Sequence, residues 1–210
     1  ATNTTGKGVF AHKGYNNTIR YNTLYRNKNG FGFNWDGRGT VATNNIVYGF
    51  NRDLNDLQTE RMVTQDNLTA QPTINNNTYV NHYQSTEVFS TAYATHKNFN
   101  DWKTATGQDA NSTFDGLALG AGETEELFYN DTKQTKTINP GSTVYMDIYG
   151  NRISGTFTLE PFTSKILIKT TSVINGDTTP PTISSFTIPL TSSSLTVPVS
   201  SFTAIDNIAV

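Results

Sequence analysis

Residues 8–51 read GVFAHKGYNNTIRYNTLYRNKNGFGFNWDGRGTVATNNIVYGFN and contain one pattern written twice. Residues 22–25 (NTLY) recur 23 positions later as residues 45–48 (NIVY), and residues 8–10 recur at the same offset as residues 31–33. A repeat of this length, with short β-prone runs separated by Gly and Asn, is too short for a helix pair and suits one coil of a β-solenoid. The sequence therefore predicts parallel coils that stack on one another.

A third, degenerate copy of the pattern occurs at residues 74–79 (INNNTY), if an insertion of about nine residues separates it from the second copy. In this alignment Asn22, Asn45 and Asn77 occupy equivalent positions. Asn tolerates left-handed backbone at a tight corner, and its side-chain amide can bond to the amide of the next coil. We therefore expect an asparagine ladder. A plain loop would also be rich in Asn, but it would not explain apolar residues that return at the same phase.

Composition favours β structure and excludes several classes of partner. The 210 residues include 35 Thr and 24 Asn, while hydrophobic residues make up 35% and charged residues 15%. Sequence rich in Thr favours strands over helices. A net charge of -2 offers no basic patch for nucleic acid and no polybasic segment for a membrane surface. We expect no membrane span, because no apolar run is long enough, and no disulfide, because Cys is absent.

Changes in pattern predict four parts of the chain. Residues 1–115 contain the coils and a cap, and residues 116–170 contain short strand-like runs separated by turns, which indicates a small antiparallel β module. Residues 171–182 end in two prolines and read as a linker. Residues 183–210 alternate as strands do, but they are too few to close a sandwich. The chain starts and stops within a pattern, so we expect further domains of the same polypeptide.

Two stretches, residues 16–33 (NNTIRYNTLYRNKNGFGF) and 39–51 (GTVATNNIVYGFN), resemble coils of right-handed parallel β-helix proteins, the pectate-lyase-like group. Within that group they are most similar to the family 9 polysaccharide lyases. The resemblance covers about residues 6–115. It implies an all-β fold, a polysaccharide partner, and a secreted or bacterial cell-surface location.

Two further resemblances concern the cap and the C-terminus. Residues 101–114 (DWKTATGQDANSTF) are similar to a segment that often closes the last coils of such β-helices, so Trp102 is expected as a cap residue rather than a sugar platform. Residues 178–186 (TTPPTISSF) and 202–210 (FTAIDNIAV) resemble the opening strands of bacterial immunoglobulin-like repeats.

The repeat also predicts which side chains are neighbours, because residues one period apart lie about 5 Å apart on adjacent coils. The neighbouring pairs predicted at one edge are His12 with Trp35, Lys13 with Asp36, and Tyr15 with Arg38. One further period falls at Glu60, inside the insertion of residues 52–71, which we expect to form a charged surface loop. The simplest interpretation of Lys13 with Asp36 is a surface ion pair.

The resemblance implies a reaction and a set of candidate residues. Lyases of this fold cleave uronate polymers by β-elimination, which requires a cation to neutralise the carboxylate, a base and a sugar-binding surface. The cation is usually Ca²⁺ held by Asp and Glu oxygens, and the base is usually Lys or Arg. The Asp-rich cluster of the family is not matched by any motif in this chain. The candidates by residue type are Lys13 and Arg20 as base, His12, Trp35 and Arg38 for substrate, and Asp36, Asp53, Asp56 and Glu60 for calcium.

Three functions remain open from the sequence. The first is the C-terminal portion of an exported polysaccharide lyase. The second is a glycan-binding or adhesive surface protein that uses the same solenoid without catalysis. The third is a glycoside hydrolase, which needs two carboxylates across a cleft at a distance that sequence does not supply.

Overall fold

The computed structural model describes residues 6–50, 61–91, 95–170, 182–188, 191, 199 and 201–205. Within these residues the chain is mostly β structure with one α-helix, in agreement with the all-β class expected from the sequence. The chain divides into two compact units, Ala1–Thr171 and Ser172–Val210.

The first unit contains three sheets of parallel strands, which the chain visits in turn. The first sheet contains β1 (Lys7–His12), β4 (Asn29–Asn34), β7 (Arg61–Gln65) and β10 (Phe89–Thr91). The second contains β2 (Thr18–Arg20), β5 (Val41–Thr43) and β8 (Thr73–Asn75). The third contains β3 (Thr23–Tyr25), β6 (Ile46–Tyr48), β9 (Thr78–Val80) and β12 (Thr113–Asp115). Each pass of the chain therefore lies beside the previous pass.

The strand register confirms most of the repeat and corrects one part of it. Strands β3 and β6 pair at the predicted offset of 23 residues, as do β2 and β5. In the first sheet Val9 pairs with Phe31, one position short of that offset, so the predicted alignment of residues 8–10 with residues 31–33 is wrong by one residue. The extra residue of the second pass lies between β4 and β5, in the segment that carries Trp35.

The insertion before the third pass has the expected size, since Asn45 and Asn77 lie 32 positions apart and contact each other. The predicted surface loop of residues 52–71 nevertheless includes β7, which pairs in register with β4. Met62 and Val63 of this strand are fully buried in the core. That part of the loop prediction is wrong, because the apolar run of β7 belongs to the first sheet.

The asparagine ladder is present. Asn22 Nδ2 donates to Asn45 Oδ1 and Asn45 Nδ2 donates to Asn77 Oδ1, each over 3.0 Å. The backbone N–H of Asn77 donates to Ser112 Oγ over 2.9 Å, so Ser112 takes the Asn position in the last pass. Asn45 and Asn77 are each only 1% exposed, and the ladder therefore satisfies buried polar groups from coil to coil.

At each corner the residue with left-handed backbone is the one before the ladder asparagine, whereas the sequence indicated the asparagine itself. Tyr21, Asn44 and Asn76 have φ values of 57°, 56° and 55°, and each precedes a ladder asparagine. Asn adopts this conformation readily, which explains Asn44 and Asn76. Tyr21 occupies the same corner in the first pass and is 75% exposed.

The core between the sheets is apolar and aromatic. In β4, for example, Phe31 and Phe33 both point into it, because side chains of a strand alternate between its two faces. The fully or nearly fully buried members of this cluster include Leu24, Phe31, Phe33, Ala42, Val47, Met62, Val63, Ile74, Tyr79 and Phe89.

The last pass combines strands with a helix. The sequence repeat is absent from residues 84–115, yet β10 and β12 still extend the first and third sheets in parallel. Helix α1 (Phe99–Thr106) packs on β10 and on β11 (Thr95–Lys97), which pairs antiparallel with β10. Trp102 is fully buried and stacks on Phe89 at 5.5 Å, so it closes the core, in line with the expected cap role.

Antiparallel strands follow within the same unit. One sheet contains β13 (Thr124–Tyr129), β18 (Ser164–Lys169), β15 (Val144–Asp147) and β16 (Arg152–Ser154). A second pair joins β14 (Lys136–Ile138) to β17 (Phe157–Leu159). Ile166 and Ile168 of β18 pack on Tyr25, Tyr48 and Val80, which attaches this sheet to the third parallel sheet.

In the second unit, β19 (Thr182–Thr187) pairs antiparallel with β20 (Ser201–Ile205). The single helix in the described part of the chain, α1, has neither the length nor the apolar character needed to cross a bilayer.

Candidate functional site

Strands β1 and β4 end side by side, and the residues that follow them bring a lysine over a tryptophan. Lys13 and Trp35 both have left-handed backbone, with φ values of 52° and 69°, a conformation that is costly for such residues and is often found at functional sites. The two are equivalent in register because His12 pairs with Asn34. Lys13 Nζ lies 4.9 Å from the centroid of the Trp35 ring, and Trp35 is 58% exposed. A large aromatic surface is thus accessible beside a cation.

Outward-facing side chains of β1 continue this contact. Phe10 and His12 are exposed and alternate with buried Ala11. The His12 ring lies 5.6 Å from the Phe10 ring and 6.3 Å from the Trp35 ring. Lys7 Nζ lies 3.9 Å from the centroid of the Phe10 ring. The predicted neighbours His12 and Trp35 are therefore in contact, within a larger row of rings and cations.

Arg38 and Asp36 form an ion pair next to this row. Arg38 donates from Nη2 to Asp36 Oδ2 over 2.7 Å and from Nε to Oδ1 over 3.0 Å. These bonds hold the pKa of the Asp36 carboxyl below its ordinary value. The Arg38 guanidinium lies 6.0 Å from the Tyr15 ring, as the repeat predicted. The predicted pairing of Lys13 with Asp36 is wrong, because the shorter register of the first sheet aligns Lys13 with Trp35 instead.

Gly39 shapes the turn that presents Arg38. Its φ is 70°, and a Cβ at this position would overlap the side-chain oxygen of Asn16. Asn16 in turn donates its backbone N–H to the Arg38 carbonyl over 3.2 Å. The turn therefore requires glycine, and its geometry is set by the preceding pass of the chain.

A third cation, Lys7, lies across the outer side of β4. Gly32 makes room for it, since a Cβ on Gly32 would overlap the Lys7 side chain, and Lys7 Nζ donates to Asn34 Oδ1 over 3.3 Å. Burial lowers the pKa of Lys7, and the nearby charge of Asp66 opposes this shift. Asp66 Oδ2 is buried and has no hydrogen-bond partner among the described residues. Lys7 consequently loses its proton more readily than an exposed lysine does.

We call the surface formed by these side chains the cation–aromatic face. Three cations and two carboxylates, those of Asp36 and Asp66, belong to it or adjoin it, so its balance of charge is positive. Its members are Lys7, Phe10, His12, Lys13, Tyr15, Trp35 and Arg38.

The other candidates from the sequence are placed differently. Arg20 is exposed on β2, in the second sheet, and takes part in none of the contacts of the face. The predicted calcium ligands Asp53, Asp56 and Glu60 lie outside the described residues. In the third pass, Asn67 contacts Trp35 by donating from Nδ2 to the Trp35 carbonyl over 2.6 Å. Extending the 23-residue period by one more step had predicted Glu60 at this place.

Among the predicted calcium ligands, Asp36 lies within the described residues and is already paired. Both oxygens of Asp36 accept hydrogen bonds from Arg38, and this guanidinium would repel a bound cation. Within residues 6–50, 61–91 and 95–170, no three His, Cys, Asp or Glu side chains form a group able to hold a metal ion.

Sequence reasoning missed Lys7, Phe10 and Asp66. The alternation along residues 7–12 would have placed Phe10 beside His12 on the outer side of β1. Gly32, in the next pass, was a signal that a long side chain crosses the sheet there. Asp66 could not be found, because its position depends on how the insertion before β7 is divided between loop and strand.

Comparison with models of protein families, with curated proteins and with solved structures found no match to this chain. Its function is therefore argued from the side chains of the face.

Proposed function

We propose that this chain binds an acidic polysaccharide, a polymer of uronate residues, through the cation–aromatic face. The observation that carries the proposal is the exposed Trp35 ring with the Lys13 ammonium 4.9 Å from its centroid. A sugar ring packs its C–H face on an aromatic surface, while its carboxylate takes charge-assisted hydrogen bonds from a neighbouring cation. Both groups are already in place on adjacent passes of the chain.

The spread of cations and rings supports a polymer over a single sugar. Lys7 and Phe10 lie at one end of the row, and Arg38 and Tyr15 form a second pair of cation and ring beyond Trp35. A chain with one carboxylate per residue would use several such pairs. A neutral polymer would use the rings but would gain nothing from the positive charge of the face.

The sheets and the asparagine ladder support the fold that belongs to this proposal. The three parallel sheets and the asparagine ladder support the interpretation of residues 6–115 as the C-terminal coils of a right-handed parallel β-helix. In this proposal the protein is an exported or cell-surface carbohydrate-active protein, and residues 183–210 begin an immunoglobulin-like module of a longer polypeptide. A stack of coils suits a linear polymer because it repeats its outer surface along one direction.

Cleavage of the polymer by β-elimination is the second candidate, and Lys7 favours it. Elimination from a uronate needs a base that removes the proton beside the carboxylate, and a lysine with a lowered pKa is a better base than an exposed lysine. Lys7 and Lys13 both lie on the face, so either could approach a bound uronate. In this candidate calcium would be held by Asp53, Asp56 and Glu60, which lie outside the described residues, or by residues of earlier coils.

Affinity electrophoresis in gels containing polygalacturonate, alginate, dextran or hydroxyethylcellulose tests binding. We expect retardation by the two acidic polymers, reduced about tenfold in affinity by Trp35→Ala. Tyr149→Ala is the matched control, because Tyr149 is 63% exposed but lies outside the face. Equal retardation of the native chain and the Trp35 variant would overturn the proposal.

Ultraviolet absorbance of unsaturated uronate products separates the two candidates. Polygalacturonate and alginate are incubated with the native chain and with Lys7→Met, with Ca²⁺ and with chelator. Unsaturated product from the native chain that is absent with Lys7→Met would establish elimination. Binding without product would leave a non-catalytic glycan-binding protein.

A further inference from the structure

A cleft outside the cation–aromatic face lies where the antiparallel sheet meets the third parallel sheet. It has a volume of about 570 Å³ and lies between β3 and β13, the edge strands of their sheets. Pockets for small ligands commonly occupy about 300–1,000 Å³, so a sugar residue fits with room to spare. We call it the seam cleft, and the residues that matter in it are Tyr25, Arg26, Glu125, Glu126, Tyr129 and Ser164.

Two glutamates of the cleft are held in fixed positions. The Glu125 side chain is 5% exposed, lies 3.5 Å from Arg26 Nε and accepts a hydrogen bond from Tyr83 Oη over 2.7 Å. Glu126 Oε2 accepts one from Tyr145 Oη over 2.7 Å. Each carboxylate has two oxygens and can accept further hydrogen bonds. Glu125 and Glu126 are neighbours on β13, so their side chains lie on opposite faces of the sheet, and Glu125 is the preorganised acceptor on the face that meets the third parallel sheet.

The tyrosines around Glu125 stay neutral over a wide pH range. Burial raises the pKa of Tyr25 and of Tyr83, and the negative charge of Glu125 raises both further. The Tyr48 hydroxyl is buried nearby without a hydrogen-bond partner among the described residues, and its pKa is raised by burial and by Glu125 as well. Tyr83 and Tyr25 donate to the carboxylate and to the carbonyl of Glu125, so the ionised Glu125 is the acceptor that this network offers to a ligand rich in hydroxyls.

The opposite side of the cleft provides donors, lone pairs and an aromatic surface. The Arg26 side chain is 32% exposed, its guanidinium lies 3.9 Å from the centroid of the Phe50 ring, and it has five N–H donors. Ser164 Oγ donates its proton to Thr23 Oγ1 over 2.8 Å, so its lone pairs are left to accept. The Tyr129 ring is 55% exposed, and Lys136 Nζ lies 5.5 Å from its centroid.

Charge separates the seam cleft from the cation–aromatic face. Glu125 and Glu126 balance Arg26 and Lys136, so the cleft has no excess of positive charge to attract a uronate. A uronate carboxylate would instead meet Glu125 at short range. Neutral hydroxyls can donate to the same glutamate without repulsion.

We propose that the seam cleft is a second carbohydrate site, which binds a neutral pyranose residue. Its ring packs on Tyr129, its hydroxyls donate to Glu125 and to Ser164 Oγ, and its oxygens accept from Arg26. This site uses none of the residues of the cation–aromatic face, so it stands or falls independently of acidic polymer binding.

Saturation-transfer difference NMR and calorimetric titration of the full chain test this site, with the methyl glycosides of glucose, galactose and mannose as probes. Methyl galacturonoside is the acidic counterpart. We expect at least one neutral glycoside to bind at least about fivefold more tightly than the uronoside, with little dependence on salt. Tyr129→Ala should weaken that binding about tenfold and, separately, Ser164→Ala about threefold, whereas Trp35→Ala should leave it unchanged.

Each result of these titrations either supports the proposal or overturns it. Absence of binding by all three neutral glycosides overturns the proposal, as does binding that Trp35→Ala removes or that Tyr129→Ala and Ser164→Ala both leave intact. Tyr129 is exposed and Ser164 is half-buried, so the variants are expected to fold, and an unchanged circular dichroism spectrum checks this.

Discussion

The Lys13 ammonium nitrogen lies 4.9 Å from the centre of the Trp35 ring, although the two residues belong to successive passes of the chain. A cation over an exposed ring contributes only about 0.5–1 kcal/mol. A ligand carboxylate can therefore draw the ammonium away at small cost, since a charge-assisted hydrogen bond is stronger. This exchange would free one face of Trp35 for the sugar ring at the moment the charge is neutralised.

Tryptophan fluorescence should report on the face selectively. Trp35 is 58% exposed and Trp102 is fully buried, so iodide should quench Trp35 and spare Trp102. We expect polygalacturonate to protect the quenchable fraction, and Trp35→Phe to remove that fraction altogether. Protection that survives Trp35→Phe would place the polymer elsewhere.

Removing the middle member of the asparagine ladder should be costly. Asn45 donates to Asn77 Oδ1 and to the Ile19 carbonyl, and it accepts from Asn22. Asn45→Ala would leave several buried groups unsatisfied, so we expect a loss of about 2–4 kcal/mol in the free energy of unfolding. Chemical denaturation followed by circular dichroism measures it.

Asn22→Ala is the matched control for the ladder, because Asn22 is exposed at its end. We expect a loss below about 1 kcal/mol. Equal losses for Asn22→Ala and Asn45→Ala would show that the ladder does not carry stability in the way its hydrogen bonds indicate.

The carboxylate of Asp109 holds the last pass together. It is 1% exposed and accepts hydrogen bonds from Trp102 Nε1, Tyr79 Oη and Ser112 Oγ. Asp109→Ala would strand these buried donors, so we expect a loss of at least about 3 kcal/mol in thermal or chemical unfolding. Asp101→Ala, at an exposed position in the first turn of α1, should cost less than about 1 kcal/mol.

Alkaline pH should destabilise the antiparallel sheet through Tyr145. Burial, followed by the hydrogen bond to Glu126, raises the pKa of Tyr145 from 10.0 to about 12. Between these values the unfolded chain releases the proton and the folded chain keeps it, so stability present below pH 10.0 is lost as the pH rises toward 12. Tyr145→Phe should flatten this part of the stability profile. The same slope in Tyr145→Phe would assign the loss to other groups.

Much of the fold could be predicted from the repeat, because a parallel stack is written into the sequence as a period. The ladder positions and the size of the insertion follow from aligning Asn22, Asn45 and Asn77. The helix at residues 99–106 could not be predicted from that period, since it occurs where the repeat has ended. Its local signals, Asn98 as N-cap and Gly107 in left-handed conformation after the last turn, become clear once the helix is known.

The site was predicted less well than the fold because side-chain partners depend on single-residue register. One residue added between β4 and β5 moved Lys13 from Asp36 to Trp35. His12 with Trp35 and Tyr15 with Arg38 remained close, since long side chains reach neighbours one position away.

Calorimetric titration with polygalacturonate and with its methyl ester tests the central claim most directly. The two polymers share their sugar rings and differ in charge, so they separate the role of Trp35 from that of Lys13. We expect Lys13→Met to weaken binding of polygalacturonate by about threefold to tenfold and leave the methyl ester unaffected, while Trp35→Ala weakens both. Equal binding of the acidic polymer by the native chain, Lys13→Met and Trp35→Ala would contradict the assignment of this face to acidic polysaccharide.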